Sequence, residues 1–288
     1  MPRALSVFRS RAARHASPAR GRRVRLGAAV PAGILLALLV VALLPGAFAP
    51  GDPESCALSR SLEGPSLAHP FGFSVFGCDY LTDTLCAART SLTVAALSVT
   101  GTVAIALLLG SLAGFCGGWV DALTSRATEV WTAVPLLLAA IVVLSALETR
   151  GVMSVSLVLV LVLFGWPAMV RLQRAGVLAA SAQDYVTAAG ALGASPSRVL
   201  VRHVLPNAVR PLLGYASAYA GLVIGVEATL TYLGVGLQQP VLSWGLQLLQ
   251  AQNRLAQAPH LVVPAGFLVL AVGSLVVLGQ QARDPLER

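Results

Sequence analysis

Lysine is absent from this chain of 288 residues, so all 20 basic residues are arginine. Charge of either sign is scarce: 11% of residues, where soluble domains carry about a quarter. With 56% hydrophobic residues, that scarcity excludes an ordinary soluble globule. No cluster of Cys and His has zinc-ligand spacing, so a metal site is not expected. No nucleophile elbow or His-Glu metal motif accompanies the scattered serines and histidines, so catalytic residues and a directly bound cofactor are not expected either. A net charge of +8 would suggest nucleic acid in a soluble protein, but here the placement of the arginines accounts for it better.

What is present is apolar sequence in long runs. A helix needs roughly 20 apolar residues to cross the hydrocarbon of a bilayer, and backbone groups in lipid must be satisfied internally. Six spans are expected, near Leu26–Phe48, Ser91–Phe115, Thr132–Leu147, Val152–Val170, Leu212–Leu233 and His260–Gly279, the third being short. The fold class is therefore an all-α integral membrane protein with six transmembrane helices and both termini inside. Sixteen arginines then fall inside: eight in the N-tail, Arg126, five from Arg171 to Arg210, Arg283 and Arg288. Only Arg60, Arg89, Arg150 and Arg254 fall outside, which is the positive-inside pattern. Ala47-Phe48-Ala49 after a basic stretch could end a signal peptide, but the apolar run before it is near 23 residues, too long for an h-region. An uncleaved first helix is the better reading.

The expected division is an arginine-rich cytoplasmic tail (1–25), a first helix (26–48), an outer segment (49–90), a core (91–282) with an inner loop at 171–210, and a short C-tail (283–288). Asp79 to Ser91 could form an interfacial helix, and Trp244 in the second outer segment reads as an interface anchor. Cys56 and Cys78 both lie outside, where a disulfide can persist; its loop of about twenty residues would be worth roughly 3 kcal/mol. Cys86 is the rival partner, and four free thiols are the bland alternative. The pairs Gly110–Gly114 and Gly221–Gly225 have the spacing that lets helices approach closely.

The inner loop is the most informative stretch. Asp184 to Leu192 reads as a short helix, with a favourable negative charge at its start and alanines within. Gly193 can take positive φ and end it. Ser195-Pro196 reads as the cap and first turn of a second helix, which Leu205-Pro206-Asn207 should close. The product is a basic knuckle of small residues that lets a partner's groove approach its backbone.

This loop resembles the EAA loop of ABC importer membrane subunits: Ala188, Ala189, Gly193, Leu205 and Pro206 match at the family's spacing. Thr187 stands where the usual Glu would be, and His203 where an Ile would be. The longer string (Tyr185-Val186, Ala188-Ala189, Leu192-Gly193-Ala194-Ser195, Arg202-His203, Leu205-Pro206-Asn207) is similar to the C-type permeases of dipeptide and oligopeptide importers. Further landmarks in order are His69-Pro70-Phe71-Gly72, Gly77 and Asp79, Ala88-Arg89, Gly117-Gly118-Trp119-Val120-Asp121, Gly165-Trp166, Glu227-Ala228, Leu233-Gly234 and Ser243-Trp244-Gly245.

The resemblance implies a type I ABC importer permease fold in a bacterial cytoplasmic membrane. It implies a homologous second permease, two cytoplasmic ATPases that use ATP and Mg, and an external solute-binding protein that delivers peptide. Asp184, Tyr185, Thr187, Ala188, Ala189, Gly190, Gly193, Arg202, His203, Pro206 and Asn207 would form the ATPase-coupling surface. The missing Glu at position 187 puts any ion pair there in doubt, and Asp184 is one turn away. A permease for nickel or another small solute is the nearest alternative; a secondary transporter or channel would be expected to show more intramembrane charge or internal repeats.

Glu227 falls mid-span, where an acid costs a few kcal/mol unless it is paired, protonated or wet, so it is a candidate for gating or an interhelix hydrogen bond; contact with peptide N-termini and a purely structural buried acid are the alternatives. Tyr219, one turn from Tyr215, either lines the path or packs. Asp121 and Glu129 are expected to be solvated or paired with Arg126. Arg171 and Arg174 are expected simply to follow topology, and Arg202 and His203 to brace the second loop helix.

Overall fold

The computed structural model describes residues 18–49, 55–147 and 153–283, so the N-tail up to residue 17, Arg150 and residues 284–288 lie outside the described residues. Among the described residues the ordered backbone is helical, apart from one bridge between Phe73 and Asp79. The chief helices are α1 (Pro18–Leu43), α2 (Tyr80–Cys116), α3 (Gly118–Thr132), α4 (Leu136–Leu147), α5 (Met153–Ser181), α6 (Asp184–Ala191), α7 (Pro196–Tyr232), α8 (Trp244–Ala251) and α9 (Val263–Arg283).

Four of them, α2, α5, α7 and α9, are long and apolar enough to cross a membrane, and α3 with α4 makes a fifth if the bent pair is one span. The expected six crossings are thus not established. The apolar part of α1, Ala28–Leu43, is short of the roughly 20 residues a crossing needs. The helix itself starts at Pro18, inside the stretch expected to be tail. The expected third span is broken by 81° between α3 and α4. Pro135 stands at that break, where it has no N–H to continue α3 while its carbonyl accepts from Ala139 to start α4. What was expected as an inner loop around Arg126 is therefore the first limb of a broken helix.

Close backbone approach holds the long helices together. A Cβ on Gly101 would sit 2.8 Å from Val162 Cγ2, one on Gly110 2.7 Å from the Val170 carbonyl, and one on Gly114 2.9 Å from the Arg174 carbonyl. Positions rise together along α2 and α5, so these helices run parallel. On α7, Gly214 lies against Arg283 and Gly221 against Val272, so α7 and α9 run antiparallel. Nothing lies within 4 Å of a Cβ at Gly225, so only the first glycine of that pair serves packing. The shared core contains Leu144, Leu157, Leu161, Met169, Leu212, Ile224 and Leu230.

The two ends of the bundle differ. At one end, residues 55–79 form a strap joined by a Cys56–Cys78 disulfide and by Ala57 N–H to the Gly77 carbonyl (3.1 Å). The strap meets the starts of α2 and α9 through Tyr80 Oη to the Leu261 carbonyl (3.0 Å) and His260 Nε2 to the Phe73 carbonyl (3.1 Å). The expected interfacial helix at 79–91 is simply the first turns of α2. Trp244 does not anchor an interface: it is fully buried and donates from Nε1 to the Thr84 carbonyl (3.1 Å). At the opposite end lie Cys116, the end of α5, α6 and the start of α7.

Candidate functional site

The end of the bundle that carries Cys116 is built by two turns of chain. α6 begins after Gln183, and Gly193 at φ 84° ends it, placing its N–H on the Gly190 carbonyl (2.9 Å) while Ala194 N–H reaches the Ala189 carbonyl (3.1 Å). Ser195 and Pro196 then open α7, with Val199 N–H bonded to the Ser195 carbonyl (2.9 Å). The expected closure at Leu205-Pro206-Asn207 does not occur, because α7 runs on through Pro206 and Pro211 to Tyr232. Pro206 offers no N–H to the Arg202 carbonyl, and the helix widens into a π turn over Leu200–Val204 just before it. Asn207 Nδ2 donates to the His203 carbonyl and to Tyr185 Oη, both at 3.0 Å, which ties α6 to α7.

Burial sorts the expected surface residues. Val186 and Ala189 turn inward onto Val177, Ala180, Val199, Val204 and Ala208, with Phe115 beside them. Asp184, Tyr185, Thr187, Ala188, Gly190, Gly193, Arg202, Pro206 and Asn207 are exposed, and His203 is half-buried. Ala189 thus belongs to the footing of α6, and Arg202 faces outward instead of bracing the second helix. Leu192 is 89% exposed at the tip, and Val201 is 64% exposed. The sequence pattern did not single out Leu192 as a contact, although an apolar side chain beside a helix-ending glycine is the available signal.

The charges nearby pair differently from expectation. Arg126 bonds Glu129 (2.8 Å), but Asp121 pairs with Arg174 of α5 through both carboxylate oxygens, with Nη2 to Oδ2 at 2.6 Å. That half-buried pair fixes α3 against α5 beside a cavity of about 260 Å³ lined by Thr128 and Arg171 among others.

Further toward the strap, Glu227 is fully buried and accepts from Ser91 Oγ of α2 (3.2 Å) and Thr231 Oγ1 (3.1 Å). Tyr219 is buried and stacks on Tyr215 with ring centres 6.1 Å apart. The two expected residues sit on one helix, two turns apart, and not on the surface that carries α6.

Residues 106–286 match the family model described as the binding-protein-dependent transport system inner membrane component. The dipeptide transport system permease protein DppC of Alkalihalophilus pseudofirmus is 32% identical over 255 residues, covering 88% of this chain and 81% of that protein. The glutathione transport system permease protein GsiD of Pectobacterium atrosepticum is 34% identical, with 92% and 88% covered. The oligopeptide transport system permease protein OppC of Bacillus subtilis is 31% identical, with 88% and 83% covered. A crystal structure of an amino acid ABC transporter with histidines superposes with a TM-score of 0.51 at 18% identity over 71% of this chain and 94% of that one, a likeness of fold.

Proposed function

Because this chain belongs to the family of binding-protein-dependent transport inner-membrane components, we propose that it is the permease subunit of an ATP-driven importer for dipeptides and oligopeptides. Relatives named for dipeptide, oligopeptide and glutathione transport support the substrate class. It pairs with a second, homologous permease and two cytoplasmic ATPases, receives substrate from an external binding protein, and hydrolyses nothing itself. ATP and Mg act in the partner subunits. The membrane is the bacterial cytoplasmic membrane, with both termini inside.

One observation carries this reading: α6 is a short helix that stands on the ends of α5 and α7, yet leaves Ala188, Gly190 and Leu192 uncovered. Small side chains let a groove approach the backbone, while the exposed leucine supplies a buried anchor once seated. Val186, Ala189 and the Tyr185–Asn207 bond make the helix a rigid extension of α7, so a push on α6 moves α7 instead of bending a loop. Asp184 is exposed one turn before Thr187 and offers the acidic contact that Thr187 cannot.

The test is Leu192→Asp and Ala188→Trp in the tagged complex. Neither side chain touches the core, so the chain alone should keep its melting temperature. Each variant should weaken retention of the ATPases about tenfold or more, as loss of an interface anchor does, and depress uptake of labelled dipeptide. Normal assembly and uptake in both would overturn the coupling assignment. Uptake of nickel but not peptide by the intact complex would overturn the substrate class alone.

A further inference from the structure

The second outer segment does not lie over the membrane surface; it folds back into the bundle. After α7 ends, Leu237 is buried, Trp244 is wedged against α2, and a Cβ on Gly245 would meet Ala228 Cα at 2.7 Å. So α8 rests directly on the outer half of α7. Such a segment brings backbone N–H groups into an apolar interior, where each must find an acceptor.

Three of them reach hydroxyl oxygens arranged round one acid. Leu237 N–H donates to Thr231 Oγ1 (3.1 Å), and Thr231 Oγ1 donates to Glu227 Oε1 (3.1 Å). Trp244 N–H lies 3.4 Å from Ser91 Oγ, which donates to Glu227 Oε2 (3.2 Å). Leu246 N–H donates to Ser243 Oγ (3.2 Å), the cap of α8, and that hydroxyl lies beside the same carboxyl. Ser91 Oγ and Thr231 Oγ1 each accept from the backbone and turn their one proton toward Glu227. The acid also sits near the N-terminal end of α8, where the aligned peptide dipoles favour negative charge.

We propose that Glu227 is the positioning residue of the outer face: acting through Ser91 and Thr231, it seats residues 237–246, and with them α8, between α2 and α7. The face this protein turns toward an external partner is then set by one acid inside the bundle. This seating is the same whichever solute is carried.

Arg254 reports on that seat. It follows α8 in an exposed turn of a segment with no other arginine or lysine. Trypsin is added to the outer side of vesicles holding the full complex, and release of the C-terminal fragment cut at Arg254 is timed. Glu227→Ala should be cut about tenfold faster than wild type, as expected when loss of a buried hydrogen-bond acceptor eases local opening. Glu227→Gln should fall between, because its amide oxygen still accepts one hydroxyl while its NH₂ cannot accept the other. Ser91→Ala and Thr231→Val should each speed cutting in the wild-type background and add less than their full effect to Glu227→Ala, since they remove links of the same network. Leu230→Ala, which empties core beside Glu227 but leaves every polar link, serves as the control for general loosening. The proposal is overturned by wild-type cutting in Glu227→Ala and Glu227→Gln, by full additivity of the hydroxyl variants, or by an equal rise in Leu230→Ala at a matched loss of melting temperature.

Discussion

At the scale of single residues, Asp79 performs two tasks where the chain enters α2. Its Oδ1 accepts from Thr82 N–H (2.8 Å), capping the helix, and its Oδ2 meets His69 Nδ1 (2.6 Å), holding the strap to that cap. Burial pushes the carboxyl up, but the Thr82 N–H and the His69 hydrogen bond outweigh it, so Asp79 is held below the ordinary carboxylate value. The sign follows from that depression. The stability Asp79 contributes is complete above the unfolded value, near 3.9, and is lost as pH falls through the lower folded one. Melting temperature should therefore drop on acidification below about pH 4, and Asp79→Asn should flatten that part of the profile. Asp79→Ala should cost about 1 kcal/mol at neutral pH through the lost cap. An unchanged acid limb in Asp79→Asn would remove Asp79 from the balance. Single residues were also where sequence patterns misled. Trp244 beside a predicted outer loop has the signature of an interface aromatic, and nothing in its neighbours announces that eight residues of helix will fold back and bury it.

The helices themselves were legible where lipid demands apolar sequence, and illegible where packing alone extends them. Apolar runs located α2, α5, α7 and α9, but α5 continues eleven residues past the expected end at Val170, and α7 begins sixteen before the expected start at Leu212. Both extensions are held by the cluster of Val177, Val199, Val204 and Ala208, which joins residues distant in sequence and leaves no long apolar run to detect. The prolines added to the error: Pro206 suggested a helix end, yet α7 absorbs it with a π turn, while Pro135 breaks a run that read as one span. The ends of α6 were readable because Gly193 and Ser195-Pro196 are local signals; which side of α6 faces outward was not, since an alanine fits either. Among the small residues, spacing proposed four glycines and packing uses three. Gly114→Val would drive a side chain into the Arg174 carbonyl and should destabilise the solubilised chain by roughly 1–3 kcal/mol. Gly225→Ala meets nothing and should gain up to about 1 kcal/mol from helix propensity. Equal melting temperatures for the two variants would show that α2 and α5 leave room for a side chain at Gly114.

For the whole molecule, orientation decides whether α6 can do its proposed work, because an ATPase acts only from the cytoplasm. The arginines argue for this direction by number, and the free cysteines give an independent test. Cys116 is exposed at the end of α2 that lies near α6, whereas Cys86 is half-buried near the strap, and Cys56 and Cys78 are joined to each other. In a Cys86→Ser background, Cys116 is then the sole free thiol among the described residues. A membrane-impermeant maleimide should leave it unmodified in right-side-out vesicles and label it once the vesicles are inverted or opened. Binding of the ATPases should slow that labelling, since α6, Phe115 and Cys116 share one end of the bundle. Rapid labelling from the outside of sealed vesicles would reverse the molecule in the membrane. It would place α6 in a compartment without ATP, and with it the whole coupling assignment would fail, however well the helices pack.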